Sequence, residues 1–209
     1  MRRQHLLIVG AFEAELAPLR TLLQDRKQVT IDAIGIGLVE AAIGASRAIE
    51  RLKSTTKEAL AVLFVGSIGT TNRSVELLSF VGASEAVLVD YVTETKQGYF
   101  PEGIVRRIKA DEDLLKSFSG RDNVTIEPVY STVSITASEK TGELLSAKTE
   151  SHFESLELFS VANVCFREGI PWTGLCAVTN YVGPTGHAEW QQNHGTAAER
   201  TARLVAQIL

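Results

Sequence analysis

Apolar residues follow two alternating spacings along the chain, and the alternation predicts which segments form strands and which form helices. Continuous apolar runs typical of buried strands lie at residues 5–10, 29–37, 59–66, 85–92, 124–135 and 171–178. Apolar residues at helical spacing occupy residues 12–23, 38–52, 139–148, 155–169 and 188–209. Strands that alternate with helices predict an α/β fold. We expect a three-layer α/β/α sandwich with a central mixed sheet, in one domain over residues 1–209.

Composition and charge narrow the possible partners. Hydrophobic residues make up 44% and charged residues 22% of the chain, as is ordinary for a globular protein, and the net charge is −4. The sequence has no cluster of lysine and arginine residues that would suit binding to nucleic acid. No apolar run reaches the length of a membrane span, and the N-terminus has no signal-peptide pattern. We therefore expect a cytoplasmic protein with no nucleic-acid and no membrane partner. The two cysteines read as buried free thiols, and the histidines have no partners at metal-ligand spacing, so no metal is expected.

Glycine and small polar residues follow several predicted strands. In open α/β sheets, ligands bind beyond the carboxyl ends of the strands, which makes residues 10–15, 35–37, 66–70, 134–138 and 179–181 candidates for a site. The segment at 35–37 lacks the third glycine of a dinucleotide fingerprint, so we expect no nicotinamide cofactor, nor any other cofactor. The pattern of residues 67–72 predicts a polar turn. Residues 96–109 have the least regular pattern, which predicts either a loop over the site or a plain surface connection.

Four segments together resemble the purine nucleoside phosphorylase and nucleosidase superfamily: IVGAFEAEL, AIGIGLVEAAIGA, VLFVGSIGT and FESLELFSVANVCFREGIPWTGLCAVTNYV, in the family's order. Within it the chain is most similar to futalosine hydrolases, which split hypoxanthine from futalosine in the menaquinone route that starts from chorismate. Their ending, S-N-Y-V-x-P followed by a tryptophan, corresponds here to residues 179–184 and Trp190. The resemblance implies that the ligand is a small-molecule purine nucleoside, and that the protein is a homodimer or larger homo-oligomer.

The resemblance makes Glu15 the catalytic carboxylate that activates the attacking water. Breaking an N-glycosidic bond builds positive charge on the ribose and negative charge on the departing base, and hydrolysis needs a base within reach of the water. From the pattern alone, Glu15 could instead be a glutamate that stabilises the start of the first helix, and Glu13 is its rival. Ser67, after the third predicted strand, is expected to position the water or the base.

The helix motif E-x-M-E of the family reads here as residues 154–157. Glu157 is expected to bind the ribose diol, since a carboxylate among apolar residues needs hydrogen-bond donors; the alternative is a glutamate on the exposed stripe of the helix. Leu156 stands at the methionine of the motif and is expected to contact the substrate. Glu154 is expected to be a surface charge near the helix start.

Asn180 is the second expected catalytic residue, and it favours a 6-oxopurine. The methylthioadenosine and S-adenosylhomocysteine nucleosidases usually have aspartate here, which can carry a proton to N7 of adenine. Hypoxanthine presents two acceptors on that edge, N7 and O6, to which an amide can donate. Otherwise Asn180 simply closes the turn before Gly-Pro. Thr179 is expected to position water or base.

Other interpretations stay open. No arginine stands beside the first or third predicted strand end, which favours hydrolysis over phosphorolysis. A methylthioadenosine/S-adenosylhomocysteine nucleosidase and a purine nucleoside phosphorylase are the alternatives within the family. A non-catalytic nucleoside-binding protein is the alternative of another class, because the GSIGT turn and Leu158 depart from the family pattern. Trp190 is expected to fill core, and the histidines to lie at the surface.

Overall fold

The computed structural model describes residues 4–209, and the first three residues of the predicted domain lie outside this range. Within it, strands β1 to β8 span Gln4–Gly10, Val29–Ala33, Ala59–Thr70, Phe80–Leu88, Arg107–Lys109, Val124–Ser131, Phe153–Ser155 and Trp172–Tyr181. Helices α1 to α7 span Glu13–Leu23, Gly37–Thr55, Tyr91–Glu94, Glu112–Lys116, Glu139–Thr149, Leu158–Glu168 and Gly186–Ile208.

All eight strands belong to one sheet, which confirms the predicted mixed sheet, although the sequence predicted six strands and missed β5 and β7. The order is β2-β1-β3-β7-β6-β4-β5, and β8 pairs with both β3 and β4. β1, β2, β3 and β8 pair in parallel, whereas β7 runs antiparallel to β3 and β4 runs antiparallel to β8. Because β6 pairs with β4 and β7, the strands β3, β7, β6, β4 and β8 close into a ring.

Helices cover both faces of the sheet, which confirms the predicted three layers. Successive residues of a strand point to opposite faces, and β1 divides its apolar residues accordingly. Leu7 and Val9 pack in one core with Ile49 of α2. Ile8 packs in the other core with Leu16 of α1. α6 joins the α2 layer and α7 joins the α1 layer. None of the helices described for residues 4–209 has the length and apolar character that crossing a bilayer requires.

The loop between β2 and α2 is held in place by close backbone packing. A Cβ atom on Gly44 of α2 would overlap the carbonyl of Ile34, so the helix lies directly against the loop. Gly35 and Gly37 have φ values of +98° and +83°, which favour glycine. These constraints fix the backbone amide of Gly37 at the start of α2.

The structure moves some boundaries that periodicity predicts. β4 spans Phe80–Leu88 rather than 85–92, since its first half pairs with β8. Tyr91 and Val92 open the short helix α3 instead of ending a strand, because the Asp90 carboxylate accepts the amide hydrogen of Thr93 and caps that helix. The predicted polar turn at 67–72 is strand as far as Thr70, because β7 and β8 flank the end of β3 and pair with it.

Candidate active site

A cavity of about 330 Å³ opens beyond the carboxyl ends of β1, β3 and β8, where the sequence predicts a site. Its polar lining residues are Glu15, Ser67, Glu154, Ser155, Glu157, Asn180 and His187. Its apolar lining includes Ala11, Phe12, Ile36, Ile68, Ile135, Leu156 and Trp190. Of the six residues predicted to act at the site, five line this cavity, and Thr179 lies behind it.

Glu15 is buried one turn into α1, and Ser67 at the end of β3 orients its carboxylate. The amide N–H and the hydroxyl of Ser67 both donate to Glu15 Oε1, each at 3.0 Å. Oε2 is buried and accepts no hydrogen bond from residues 4–209. Burial raises the pKa of Glu15 from 4.5 to about 7 against the lowering effect of Ser67, and the charge of Glu157 raises it further. Glu15 can therefore exchange a proton near neutral pH.

Glu13, the rival of Glu15, is excluded from the cavity by geometry. Its side chain is exposed and forms an ion pair with Arg20 at 2.7 Å on the outer face of α1. The two glutamates are two residues apart on a helix, which directs their side chains to different faces.

Glu157 lies at the N-cap of α6 rather than within the helix, which corrects the predicted helix start at residue 155. Glu154 and Ser155 belong to β7, and the Ser155 hydroxyl accepts the amide hydrogens of Glu157 and Leu158. Glu157 is only 7% exposed, so the alternative of a glutamate on an exposed stripe is wrong. Its Oε1 accepts the Gly37 amide hydrogen at 2.9 Å. Burial raises the pKa of Glu157, and that hydrogen bond opposes the rise.

A β-bulge in β8 aims Asn180 at the cavity. Ile68 pairs with Val178, but the next residue of β3, Gly69, pairs with Asn180, so Thr179 is the extra residue. Without the bulge Thr179 would take the place beside Gly69 and Asn180 would face the other side of the sheet. The bulged Thr179 carbonyl accepts a hydrogen bond from Asn193 of α7 at 2.8 Å.

The amide of Asn180 is held in one orientation by its neighbours. Its Oδ1 accepts from the fully buried Thr179 hydroxyl at 2.9 Å, and its Nδ2 donates to the Tyr181 carbonyl at 3.3 Å. The second N–H of Nδ2 is left to donate to a ligand. Gly69 and Gly186 make room for the amide, since a Cβ on either would lie about 3 Å from Nδ2. Thr179 thus positions Asn180 instead of lining the cavity.

Glu154 was expected at the surface, and that expectation is wrong. The side chain is 6% exposed and lines the cavity from β7. Its Oε1 accepts the Thr136 amide hydrogen at 3.0 Å. Burial raises its pKa, and hydrogen bonds from Thr136 and Tyr130 oppose the rise. A strand of three residues is too short to show a period of two, so the sequence carried no signal for this position.

Trp190 was expected in the core, but it forms part of the cavity mouth. Its ring stacks between His187 and His194, with centroid distances of 5.7 and 4.6 Å, and Phe12 meets it edge-on at 6.2 Å. His187 is exposed, as expected, yet it also lines the cavity. The sequence could have predicted this stack, because His187, Trp190 and His194 are three and four residues apart on α7 and therefore share one face of the helix.

Among residues 4–209, no lysine or arginine lines the cavity. Arg20 pairs with Glu13, and Arg73 pairs with Glu139 on the outer surface. Across residues 4–209, no three histidine, cysteine, aspartate or glutamate side chains converge as metal ligands would. The polar part of the site therefore consists of carboxylates, one amide, hydroxyls and one histidine.

Comparison with known proteins identifies a matching family and several proteins of similar sequence or fold. A family model described as the phosphorylase superfamily matches residues 12–209. The 5′-methylthioadenosine/S-adenosylhomocysteine nucleosidase of Geobacillus thermodenitrificans (strain NG80-2) is 26% identical over 230 residues, covering 97% of this chain and 94% of that protein.

Two solved structures from Helicobacter pylori share the fold. The 5′-methylthioadenosine/S-adenosylhomocysteine nucleosidase with butyl-thio-DADMe-Immucillin-A superposes with a TM-score of 0.86 at 18% identity, covering 98% of this chain and 97% of that one. The native futalosine hydrolase of strain 26695 superposes with a TM-score of 0.85 at 18% identity, with the same coverage of both chains.

Proposed function

This chain belongs to the phosphorylase superfamily, and we propose that it is a nucleosidase that hydrolyses the N-glycosidic bond of a 6-oxopurine nucleoside. The observation that carries the proposal is the convergence of Glu15, Glu157 and Asn180 on one cavity that no lysine or arginine of residues 4–209 lines. These three groups match the three tasks of the reaction: activating water, holding the ribose and receiving the departing base.

Glu15 is the general base. It takes a proton from a water molecule whose oxygen bonds to C1′ of the ribose, while the C1′–N9 bond breaks and its electron pair leaves with the base. A pKa of about 7 suits this role, since the carboxylate is ionised in a large fraction of molecules at neutral pH and is still basic enough to accept the proton. Ser67 keeps one oxygen engaged, which leaves Oε2 for the water.

Glu157 binds the ribose hydroxyls. Positive charge develops on the sugar as the bond to the base breaks, and a buried carboxylate beside it stabilises that charge. The Gly37 amide fixes one oxygen of Glu157, and the other can accept from the 2′- and 3′-hydroxyls. Leu156 contributes apolar contact with the nucleoside from the adjacent wall of the cavity.

Asn180 receives the base. Its free amide N–H donates to N7 or O6 of a 6-oxopurine, where negative charge accumulates as the base departs. An asparagine transfers no proton, which suits a base that can leave as an anion with its charge shared by O6. Futalosine, whose base is hypoxanthine, is our first choice of substrate.

A 5′-methylthioadenosine/S-adenosylhomocysteine nucleosidase is the second candidate. The name of the Geobacillus thermodenitrificans relative favours it, whereas Asn180 in place of an acid favours the 6-oxopurine. Phosphorolysis is disfavoured because a phosphate pocket is typically built with arginine, and no arginine of residues 4–209 lines this cavity.

Release of free base from futalosine, inosine and 5′-methylthioadenosine, each with and without phosphate, tests the proposal. We expect hypoxanthine release from futalosine that does not depend on phosphate. A phosphate requirement would identify a phosphorylase, and release of adenine alone would overturn the role given to Asn180. Nucleoside binding without any base release would identify a non-catalytic binding protein.

We propose further that the protein is a cytoplasmic homodimer or larger homo-oligomer, as the family resemblance implies. Both cysteines are free and buried, which is compatible with a reducing compartment. Ile36, Val39 and Ile43 are exposed at or near the start of α2, and an apolar surface of this kind suits contact with a second subunit.

A further inference from the structure

β8 loses the strand on one of its edges shortly before it reaches Asn180. The pairing of β4 with β8 ends at Ala177, and the backbone hydrogen bonds from the loop before β4 end at Val178. Backbone polar groups that lie away from water need hydrogen-bond partners. The carbonyl of Thr179 and the amide of Tyr181 therefore need partners from outside the sheet.

Two side chains of α7 bind these backbone groups, one on each side of Asn180. Glu189 Oε2 accepts the amide hydrogen of Tyr181 at 2.8 Å. Asn193 Nδ2 donates to the carbonyl of Thr179 at 2.8 Å. The two α7 residues are four positions apart, so they lie one turn apart on the same face of the helix. We call this pair of side chains the α7 clamp.

The α7 clamp holds both peptide units that flank the Cα atom of Asn180. The Thr179 carbonyl belongs to the peptide unit before that Cα, and the Tyr181 N–H belongs to the unit after it. Because peptide units are planar, φ and ψ are the only soft backbone dihedrals between them. Fixing both units therefore fixes the direction in which the Asn180 side chain leaves the backbone. The hydrogen bonds of its own amide then set the rotation of that amide.

We propose that Glu189 is a positioning residue that holds the Asn180 amide where the base departs, with Asn193 as its counterpart. This inference rests on the proposed function. Glu189 is not among the residues of 4–209 that line the cavity, so it acts through the backbone. Its Oε1 accepts the hydroxyl hydrogen of Thr185, the N-cap residue of α7, at 2.7 Å, so both carboxylate oxygens are engaged. The start of a helix also favours a negative charge.

The reaction is sensitive to the placement of this amide. A donor stabilises the charge of the departing base only if it is already in place when that charge develops. A displacement of about 1 Å that originates away from the reacting atoms can cost about 10²-fold in rate. Without Glu189, the Tyr181 amide would bond to water, and the peptide unit after Asn180 would be free to rotate.

Glu189→Ala removes the acceptor without disfavouring the helix, since alanine is the best helix former. We expect kcat/KM for hypoxanthine release from futalosine to fall at least about tenfold. Glu189→Gln should recover activity to within about threefold of the wild type, because its oxygen can accept from Tyr181 while its NH₂ donates to Thr185. A glutamine variant as impaired as the alanine variant would overturn the inference.

A double-mutant cycle with Asn180→Ala separates positioning from general support of the fold. Hypoxanthine affinity, measured by calorimetry, is the readout because it does not depend on turnover. We expect Glu189→Ala to weaken binding about three- to tenfold in the wild type, and less than twofold when Asn180 is already alanine. Equal weakening in both backgrounds would overturn the inference and leave the proposed function standing. A wild-type protein that neither binds nor releases hypoxanthine would overturn both.

Glu199→Ala is the matched control for Glu189→Ala. It makes the same change on the same helix, where the exposed Glu199 side chain only lies 3.7 Å from Arg203. Its kinetics and its hypoxanthine affinity should stay within about twofold of the wild type. A loss in Glu199→Ala as large as that in Glu189→Ala would show that any change in α7 disturbs the site, which contradicts a specific role for Glu189.

Discussion

Single side chains decide the chemistry of this site because the fold keeps three carboxylates away from water. Glu15, Glu154 and Glu157 are each at most 7% exposed, and burial raises the pKa of all three. Each is held by a backbone amide, from Ser67, Thr136 and Gly37 respectively. One oxygen of each carboxylate is thereby fixed in place.

Glu15→Gln should abolish turnover and preserve binding. The amide keeps the hydrogen bonds from Ser67 but cannot accept a proton, so we expect kcat to fall by about 10²–10⁴-fold with little change in nucleoside affinity. In the wild-type protein, kcat/KM should rise as the pH increases through about 7 and level off above it, because the base must be ionised. Steady-state kinetics across pH 5–9 measures both effects.

Glu13→Gln is the control for this variant, since its exposed side chain only pairs with Arg20. Its kinetics should stay within about twofold of the wild type. If Glu15→Gln keeps most of its turnover, Glu15 is not the base.

Asn180→Asp should shift the base preference from 6-oxopurines towards 6-aminopurines. A carboxylate oxygen in the place of Nδ2 would lie about 3.3 Å from the Tyr181 carbonyl oxygen. That repulsion favours the protonated acid, which can donate to N7 of adenine. We expect the ratio of kcat/KM for inosine to that for 5′-methylthioadenosine to fall at least about tenfold.

Asn72→Asp provides the comparison for Asn180→Asp. It introduces the same change outside the cavity, where Asn72 Oδ1 only accepts the Ser74 amide hydrogen. This control should keep the wild-type ratio. An unchanged ratio in Asn180→Asp itself would show that Asn180 does not read the base.

At the scale of strands and helices, the sequence predicted the alternating elements and the sheet edge where the site lies. It did not predict the bulge at Thr179, because the predicted strand ended at residue 178, and the extra residue appears only when β8 continues to Tyr181 and pairs with β3. It also missed β7, whose three residues join the sheet through long-range pairing. These two features determine that Asn180 and Glu154 face the cavity. Both depend on pairing between distant strands, which the local pattern of apolar residues does not predict.

Gly69→Ala tests whether the end of β3 must lack a side chain. The added Cβ would lie 3.0 Å from Asn180 Nδ2 and 3.2 Å from Val182, so the Asn180 amide must shift. Displacements of this kind at a catalytic group can cost about 10²-fold, and we expect kcat/KM to fall at least about tenfold.

Gly195→Ala is the matched control because nothing lies within 4 Å of its added Cβ. In the middle of α7 it should stabilise the fold by about 0.5–1 kcal/mol and leave the kinetics unchanged. Full activity in Gly69→Ala would show that the space beside Asn180 is not needed.

At the scale of the whole molecule, we propose that the chain is one domain, since one sheet includes all of the described strands. The α/β class and the three layers followed from the sequence because each layer has its own local periodicity. The closed ring of β3, β7, β6, β4 and β8 did not, because closure depends on which distant strands meet. The ring brings β7 beside β3, and with it Glu154 into the cavity.

Stability of the whole protein should depend on pH through Glu15. A folded-state pKa raised from 4.5 to about 7 means that the folded state binds the proton more tightly than the unfolded chain does. The corresponding stability, about 3 kcal/mol, is present below pH 4.5 and is lost as the pH rises through 7. Glu15→Gln should therefore melt on the order of 5–10 °C above the wild type at pH 8.

Thermal melts at pH 5 and pH 8 measure this difference. The gap between Glu15→Gln and the wild type should be much smaller at pH 5, where the wild-type carboxyl is largely protonated. Glu13→Gln should show no such dependence, because its side chain is exposed. A gap that does not change with pH would mean that ionisation of Glu15 does not limit stability.

The position of Trp190 gives the protein an optical reporter of its own. The chain has two tryptophans: Trp172 is 3% exposed within β8, whereas Trp190 lies at the cavity mouth against Phe12 and two histidines. A molecule that enters the cavity changes the surroundings of one indole and leaves the other as a constant background. Intrinsic fluorescence can then follow occupancy in real time with unlabelled nucleosides, including compounds that bind without reacting.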